Sequence, residues 1–255
     1  MRASGFLPSF PPWLVGLYYR WAALLNRLGP WVELDGLRLR VEPSVYKPIQ
    51  NEARVARLVP PGRDVLDVGC GSGVLGIAVA PRSRSVLALD INPAAVRSTR
   101  ANAARLGLDN LEARETDALT APLGRRFGAV LCGPPFSEVE LAGVERRWAS
   151  ARGFTPRLFQ RAAEEWLQPE GLLIVHHMGS AGPALRALAE RHGLVLRGVH
   201  PNHRGKTPQL RLLALLYAQV GLRTTFYVFG REALRAGSAS EAPAGGPRSP
   251  SSRRP

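Results

Sequence analysis

Lysine is nearly missing from this chain: only Lys47 and Lys206 stand among 34 basic residues in 255. Arginine carries almost all of the positive charge, and against 20 acids the formal balance is +14. The abundance of Arg, Ala, Gly and Pro matches the habit of a GC-rich genome. That habit explains the choice of base but not its excess over acid. A basic surface is expected, its partner open among RNA, the ribosome, an acidic membrane and none. Cysteine is equally scarce. Cys70 and Cys132 both lie in apolar, strand-like runs, which excludes a disulfide framework. No secretory leader pattern precedes the domain, so a reducing cytoplasm is the expected setting. No Cys/His spacing supports a zinc site, and no metal is expected.

The length suits one domain with additions at its ends. Leu14, Leu17, Tyr18, Trp21, Leu25 and Leu28 recur at three- and four-residue steps over residues 12 to 29, which predicts an amphipathic helix. Arg20, Asn26 and Arg27 break it too often for a membrane span, which needs about 20 predominantly apolar residues. The helix is expected to cap the core or cover the substrate cleft, with peripheral membrane contact as the alternative. Alternation from Val32 to Val41 around Asp35-Gly36 predicts a hairpin.

Apolar strand candidates follow at Val65 to Val68, Val86 to Leu89, Leu111 to Ala113, Ala129 to Leu131 and Leu172 to Val175. Helical patterns separate them at Pro93 to Leu106 and Thr155 to Leu167. Such alternation predicts an α/β fold, a Rossmann-like seven-stranded, mainly parallel sheet with helices on both faces. Leu194 to Val199 and Thr224 to Phe229 supply the last strands, with a helical stretch around Gln209 to Val220 between them. The expected organisation is a helix and hairpin extension over 1–43, a catalytic domain over 44–236 and a disordered tail over 237–255. That tail has too little apolar surface to offset ordering.

Chemistry concentrates at strand ends. Val65 to Val68 runs into Gly69-Cys70-Gly71-Ser72-Gly73, a turn in which missing Cβ atoms let backbone N–H groups approach a ligand. Gly71-x-Gly73-x-x-Gly76 also satisfies a dinucleotide pattern, so the glycines alone leave a nicotinamide or flavin enzyme open. Asp67 separates the two readings: a carboxylate there is awkward beside a pyrophosphate but suits the cationic methionine end of S-adenosylmethionine. Asp90, followed by Ile91, ends the next strand where an acid can accept both ribose hydroxyls. Asp117 follows the third strand and can accept from an adenine amino group, with Ala118 offering its backbone. A fourth strand runs into Gly133-Pro134-Pro135-Phe136, where two prolines hold a carbonyl and a ring rigidly.

Together these motifs resemble the Asn-Pro-Pro-Tyr/Phe branch of class I S-adenosylmethionine-dependent methyltransferases. That branch includes release-factor glutamine, ribosomal RNA guanine and transfer RNA adenine methyltransferases. The similarity covers roughly residues 44 to 178, and Val45-Tyr46-Lys47-Pro48-Ile49-Gln50-Asn51-Glu52 resembles the segment that precedes the cofactor turn. The resemblance implies S-adenosyl-L-methionine as cofactor, held by Asp67, Gly69, Gly71, Gly73, Asp90, Ile91, Asp117 and Ala118. It places Tyr46, Gly133, Pro134, Pro135 and Phe136 toward the acceptor, with the aromatic ring stacking on the target. Gly133 stands where the branch has Asn, Asp or Ser. Without that side-chain acceptor, either the acceptor differs or catalysis is altered, and the first is favoured. If a base is needed, His176, His177, His200 and His203 are the candidates by position. Two alternatives stand beside methyl transfer: a basic nucleic-acid-binding protein that keeps the fold without turnover, and a dinucleotide-dependent oxidoreductase.

Overall fold

A computed structural model of the chain describes residues 11–48, 51–135, 142–143, 147, 151–202 and 224–232. The stretch around Gln209 to Val220, the tail over 237–255, Phe136 and His203 lie outside them.

Alternation and an Asp-Gly turn make the first hairpin, β1 (Trp31–Leu34) against β2 (Leu37–Arg40). Asp35 and Gly36 both take positive φ, 48° and 83°, the conformation of a turn that matches strand twist. Val32, Leu34 and Leu39 point inward. Helix α3 (Pro93–Arg105) receives the hairpin: buried Asn102 accepts from the Arg40 amide at 2.8 Å and donates to the Arg40 carbonyl at 2.8 Å. An amide side chain that satisfies both polar groups of one residue fixes where the hairpin lies.

The main sheet is built from β3 (Asp64–Val68), β4 (Ser85–Asp90), β5 (Leu111–Glu115), β6 (Phe127–Cys132) and β7 (Leu167–Met178), all parallel, with β8 (Leu194–Pro201) and β9 (Thr224–Arg231). Their order is β5-β4-β3-β6-β7-β9-β8, with β9 antiparallel to both neighbours. This is the seven-stranded, mainly parallel Rossmann-like sheet expected. β6 is buried at every residue, as a strand covered on both faces must be. Alternate strand residues feed two cores. Leu66, Val130 and Leu173 meet Leu158 of α4 (Phe154–Arg161) and Leu185 of α5 (Gly182–Arg191) on one side. Val65, Ala129 and Ile174 meet Ile77 of α2 (Val74–Val79) and the hairpin's Leu34 and Leu39 on the other. The hairpin thus shares a core with the sheet.

Two expectations are corrected. The helix expected over Thr155 to Leu167 ends at Arg161 and passes into a wide i→i+5 turn over Ala162–Trp166, and Leu167 already begins β7. The wide turn leaves the Trp166 indole fully buried with Leu158 and Phe159. The second concerns α1 (Pro12–Leu28), which forms where the periodicity placed it but does not cap the core with its apolar stripe. Leu14, Leu17, Trp21, Leu25 and Leu28 are exposed, and among the described side chains of the helix Val15 and Asn26 are buried. Asn26 fastens the helix by donating its amide to the Val45 carbonyl at 2.8 Å. Among the described residues, no helix is long and apolar enough to cross a membrane.

Candidate cofactor and acceptor site

The chain runs from β3 outward through β4 to β5, then returns to lay β6 on the other side of β3. Ligands in open parallel sheets bind beyond the strand carboxyl ends at such a reversal. Register brings the motifs there together. Val68 pairs with Leu89 on one side and Cys132 on the other, so Gly69, Asp90 and Gly133 leave the sheet side by side. Asp90 pairs with Glu115, which places Thr116 and Asp117 next in line. A cavity of about 320 Å³ opens over these ends, within the range of small-ligand sites. Gly69, Gly71, Asp90, Ile91, Asp117 and Ala118 line it, as do Tyr46, Gly133, Pro134 and Pro135.

The turn is held by its own backbone. Gly69 and Cys70 both donate to the Leu89 carbonyl, at 2.8 and 3.0 Å, and the Gly71 amide donates to Asp90 Oδ2 at 3.0 Å. Gly69 has φ +72° with nothing within 4 Å of where a Cβ would lie. Gly73 begins α2 at φ +84°, and a Cβ there would lie 2.8 Å from Ile77 Cδ1 and 2.9 Å from Thr99 Cγ2. One glycine leaves room for a ligand; the other lets α3 pack against the start of α2.

The two acids of the turn differ. Asp90 lines the cavity while accepting from Gly71 and, through Oδ1, from the Asn92 amide at 2.9 Å. The Ile91 amide is a third backbone donor to this carboxylate, which has about four lone-pair sites, so about one remains for a ligand. Burial raises its pKa. Asp67 lies behind the turn rather than on the cavity wall. It is buried, accepts from the Gly76 amide through Oδ2 at 2.9 Å, and its Oδ1 has no partner. Burial, with Asp90 nearby as a further cause, pushes its pKa up to about 7. Of the acids expected at the cofactor, Asp67 is thus the one set off the cavity wall.

Asp117 accepts from the Leu119 amide through Oδ1 at 3.0 Å, which fixes the Asp117–Ala118 backbone at the cavity edge. On the far side, Gly133 is exposed, with open space around its absent Cβ. Pro134 and Pro135 are buried beside it. Of the histidines, His177 is fully buried beside the Pro135 backbone, its Nδ1 accepting from the Met178 amide at 2.8 Å, and burial lowers its pKa to about 4. It braces the proline pair from behind. His176 lines the cavity, with Nε2 2.7 Å from Thr224 Oγ1 and its ring 4.6 Å from that of Phe226. Burial lowers its pKa to about 3, so it is neutral near pH 7 and a poor base. His200 sits exposed on the edge strand β8, outside the cavity wall.

Some site residues were missed in the sequence. Ser72 lines the cavity, is 2 % exposed, and its hydroxyl has no partner among the described residues. Its signal was its place between two turn glycines. Glu52, buried on the wall, accepts from the Tyr46 hydroxyl at 3.3 Å. Phe154, Arg152 and Arg157 border the cavity beyond Gly133-Pro134-Pro135, and nothing in their spacing marked them. Among the described residues no group of acids, histidines and cysteines forms a metal site.

A buried hydroxyl without a partner is costly, so the Ser72 Oγ points to a polar ligand in this cavity. S-adenosylmethionine fits the donor set. A ribose hydroxyl matches the remaining lone pair of Asp90, the adenine amino group matches the backbone at Asp117–Ala118, and the cationic end suits a wall that carries Glu52.

Comparison with known proteins agrees with this geometry. The family model described as Methyltransferase small domain matches residues 54–190. A release factor glutamine methyltransferase of Xylella fastidiosa is 32% identical over 147 residues, covering 52% of this chain and 53% of that protein. The ribosomal RNA small subunit methyltransferase C of Pseudomonas aeruginosa is 41% identical over 117 residues, covering 44% of this chain and 31% of that protein. The chain thus spans about half, or less, of the length of these curated relatives. Among solved structures, the M. jannaschii tRNA m1G37 methyltransferase shares the fold with a TM-score of 0.58 at 17% identity, over 79% of this chain and 56% of that one.

Proposed function

The chain belongs to the methyltransferase small domain family, whose members use S-adenosylmethionine, and from that premise we propose that its cavity holds this cofactor and delivers the methyl group to an acceptor beside Gly133-Pro134-Pro135. The convergence of the glycine turn, Asp90, Asp117 and the proline pair on one cavity with the unpartnered Ser72 hydroxyl carries this reading. Family membership favours it over the two alternatives, a binding protein without turnover and a nicotinamide or flavin enzyme.

When bound, the cofactor supplies an electrophilic methyl on a sulfonium. The protein's task is then to place an acceptor in line with it, and such alignment can contribute about 7 to 11 kcal/mol. Gly69 and Gly71 open the backbone to the methionine end, with Ser72 as a further donor. Glu52, on the wall beside Tyr46, takes the contact with the cationic amine that the sequence assigned to Asp67. Asp67 supports the turn from behind, its Oδ2 accepting from the Gly76 amide. Asp90 holds the ribose, while Asp117 and Ala118 border the adenine. His177 keeps Pro135 in place, and the rigid pair confines the acceptor.

At Gly133 the acceptor is not read by an amide or carboxylate side chain, so its reacting atom need not be the planar nitrogen that such a side chain would orient. Arg152 and Arg157 border the same side as Phe154. Those cations and that ring suit an acceptor with an anionic group near a flat or apolar portion, a description that an RNA base with its phosphate, an acidic protein segment and a small acidic metabolite all meet. The free, buried cysteines fit a reducing cytoplasm. The test is incubation with methyl-labelled cofactor and cell extract, followed by separation into RNA, protein and small molecules. Label in one fraction, absent without the protein, supports the reading and names the acceptor. No transfer into any fraction, with cofactor still bound, returns the assignment to a binding protein.

A further inference from the structure

Helix α1 carries its apolar face outward. Leu14, Leu17, Trp21, Leu24 and Leu28 recur at steps of three and four, the spacing of one helical face, and stand 39, 57, 45, 52 and 77 % exposed. The covered positions, Val15, Tyr19, Ala22 and Asn26, share the opposite spacing and are small or polar for the most part. The domain therefore uses the weaker face of this helix and leaves the stronger one uncovered among the described residues, with Trp13 and Trp31 exposed at its two ends.

Charge decides what covers it. Residues 1–32 contain Arg2, Arg20 and Arg27 and no acid at all. Arg20 and Arg27 are exposed, seven residues apart on one flank of the stripe. At the helix's end Arg38 and Arg105 both lie over the Trp31 ring, at 4.6 and 5.4 Å from its centroid. An apolar stripe with arginines along one side and tryptophans at both ends is built to lie in an anionic interface, apolar side in the acyl boundary and cations among headgroups. A second copy of a chain with charge +14 would bring like flanks together. RNA would gain nothing from five exposed apolar side chains.

We propose that α1 docks the protein on an anionic lipid surface. Seventeen residues give a helix of about 25 Å, which lies along the surface rather than through it. Because Asn26 ties α1 to the carbonyl of Val45, which lines the cavity, docking brings the cofactor site to the membrane surface.

The experiment is co-sedimentation of the full chain with vesicles of phosphatidylcholine alone or with phosphatidylglycerol. Binding to the anionic vesicles, falling with salt and weak on the neutral ones, is expected. Leu17→Glu with Trp21→Glu should abolish it while leaving Tm and cofactor binding unchanged, since both positions are exposed. Arg20→Glu and Arg27→Glu should each weaken it about fivefold or more. Failure to bind anionic vesicles overturns the proposal, as does binding that the double variant retains. A wild-type dimer that the double variant converts to monomer assigns the stripe to a second copy, and a marked fall in Tm of that variant assigns it to a segment of the same chain. Either result also overturns the proposal.

Discussion

Alanine at Gly69 and at Gly73 should fail in different ways, although both glycines belong to one turn and both have φ between +70 and +85°. A Cβ in that left-handed region costs about 1–2 kcal/mol at either position. At Gly69 nothing else is added, because no atom lies within 4 Å of the new methyl. At Gly73 the methyl would lie 2.8 Å from Ile77 Cδ1 and 2.9 Å from Thr99 Cγ2, both on buried side chains. Thr99 cannot yield freely, since its hydroxyl donates to the Gly71 carbonyl at 3.1 Å. Overpacking of this kind costs about 1–3 kcal/mol more. With about 2–4 °C per kcal/mol for a domain of this size, Gly73→Ala should melt roughly 2–12 °C below Gly69→Ala. Binding should rank the other way at the site itself: Gly69 lines the cavity, so its methyl takes ligand space, and Gly69→Ala should bind S-adenosylmethionine at least about tenfold more weakly than its modest loss of stability explains. Thermal melts with and without cofactor read both effects. Equal melting temperatures for the two variants, or wild-type affinity in Gly69→Ala, would refute the reasoning.

Three further outcomes are expected. Asp67 holds a proton up to about pH 7 in the folded state but only to about 3.8 in the unfolded one, so between these values the folded state binds more protons and this group's contribution falls as pH rises. Asp67→Asn keeps an acceptor for the Gly76 amide and removes the titration; its stability relative to wild type should rise from pH 4 to 7 in denaturant melts, and a constant difference would contradict the placement. His177→Phe replaces the polar ring that packs beside the Pro135 backbone, so kcat should fall, by up to about 100-fold, while cofactor affinity by calorimetry stays unchanged. Gly133→Asn enters open space and restores a side-chain acceptor, so Tm and cofactor affinity should hold while products analysed by mass spectrometry shift toward methylated amides or exocyclic amines.

The sheet was legible in the sequence because strands covered on both faces are written as near-continuous apolar runs, as in Val86 to Leu89 of β4 and throughout β6, with β3 broken only by Asp67. The site was legible for the same reason: a parallel sheet gathers the residues after its strands, so Gly69, Asp90, Asp117 and Gly133 needed only the right strand order to meet. What spacing does not carry is side. Asp67 shares a strand face with Val65, which packs toward α2, and two-residue alternation alone would have turned it away from the cavity. For α1, the period identified an apolar face but not whether the domain covers it. His176 and His177 read as strand-end groups, yet β7 continues past them to Met178 and pairs there with β9, which buries both. Their low pKa values follow from that pairing, which no local pattern announces. Gly76 reads as part of a dinucleotide pattern, whereas a Cβ there would lie 2.9 Å from Asp67 Oδ2, so close approach rather than phosphate binding explains it.

The central claim is that the cavity over β3, β4, β5 and β6 holds S-adenosylmethionine with Asp90 on its ribose. Calorimetric titration of the cofactor into wild type and Asp90→Ala tests it most directly. One saturable site in the wild type is expected, weakened at least about tenfold in the variant, since loss of one hydrogen bond to a charged acceptor is worth about 1.5–3 kcal/mol. Equal affinity in the two proteins, or a preference of the wild type for a nicotinamide dinucleotide, would contradict it.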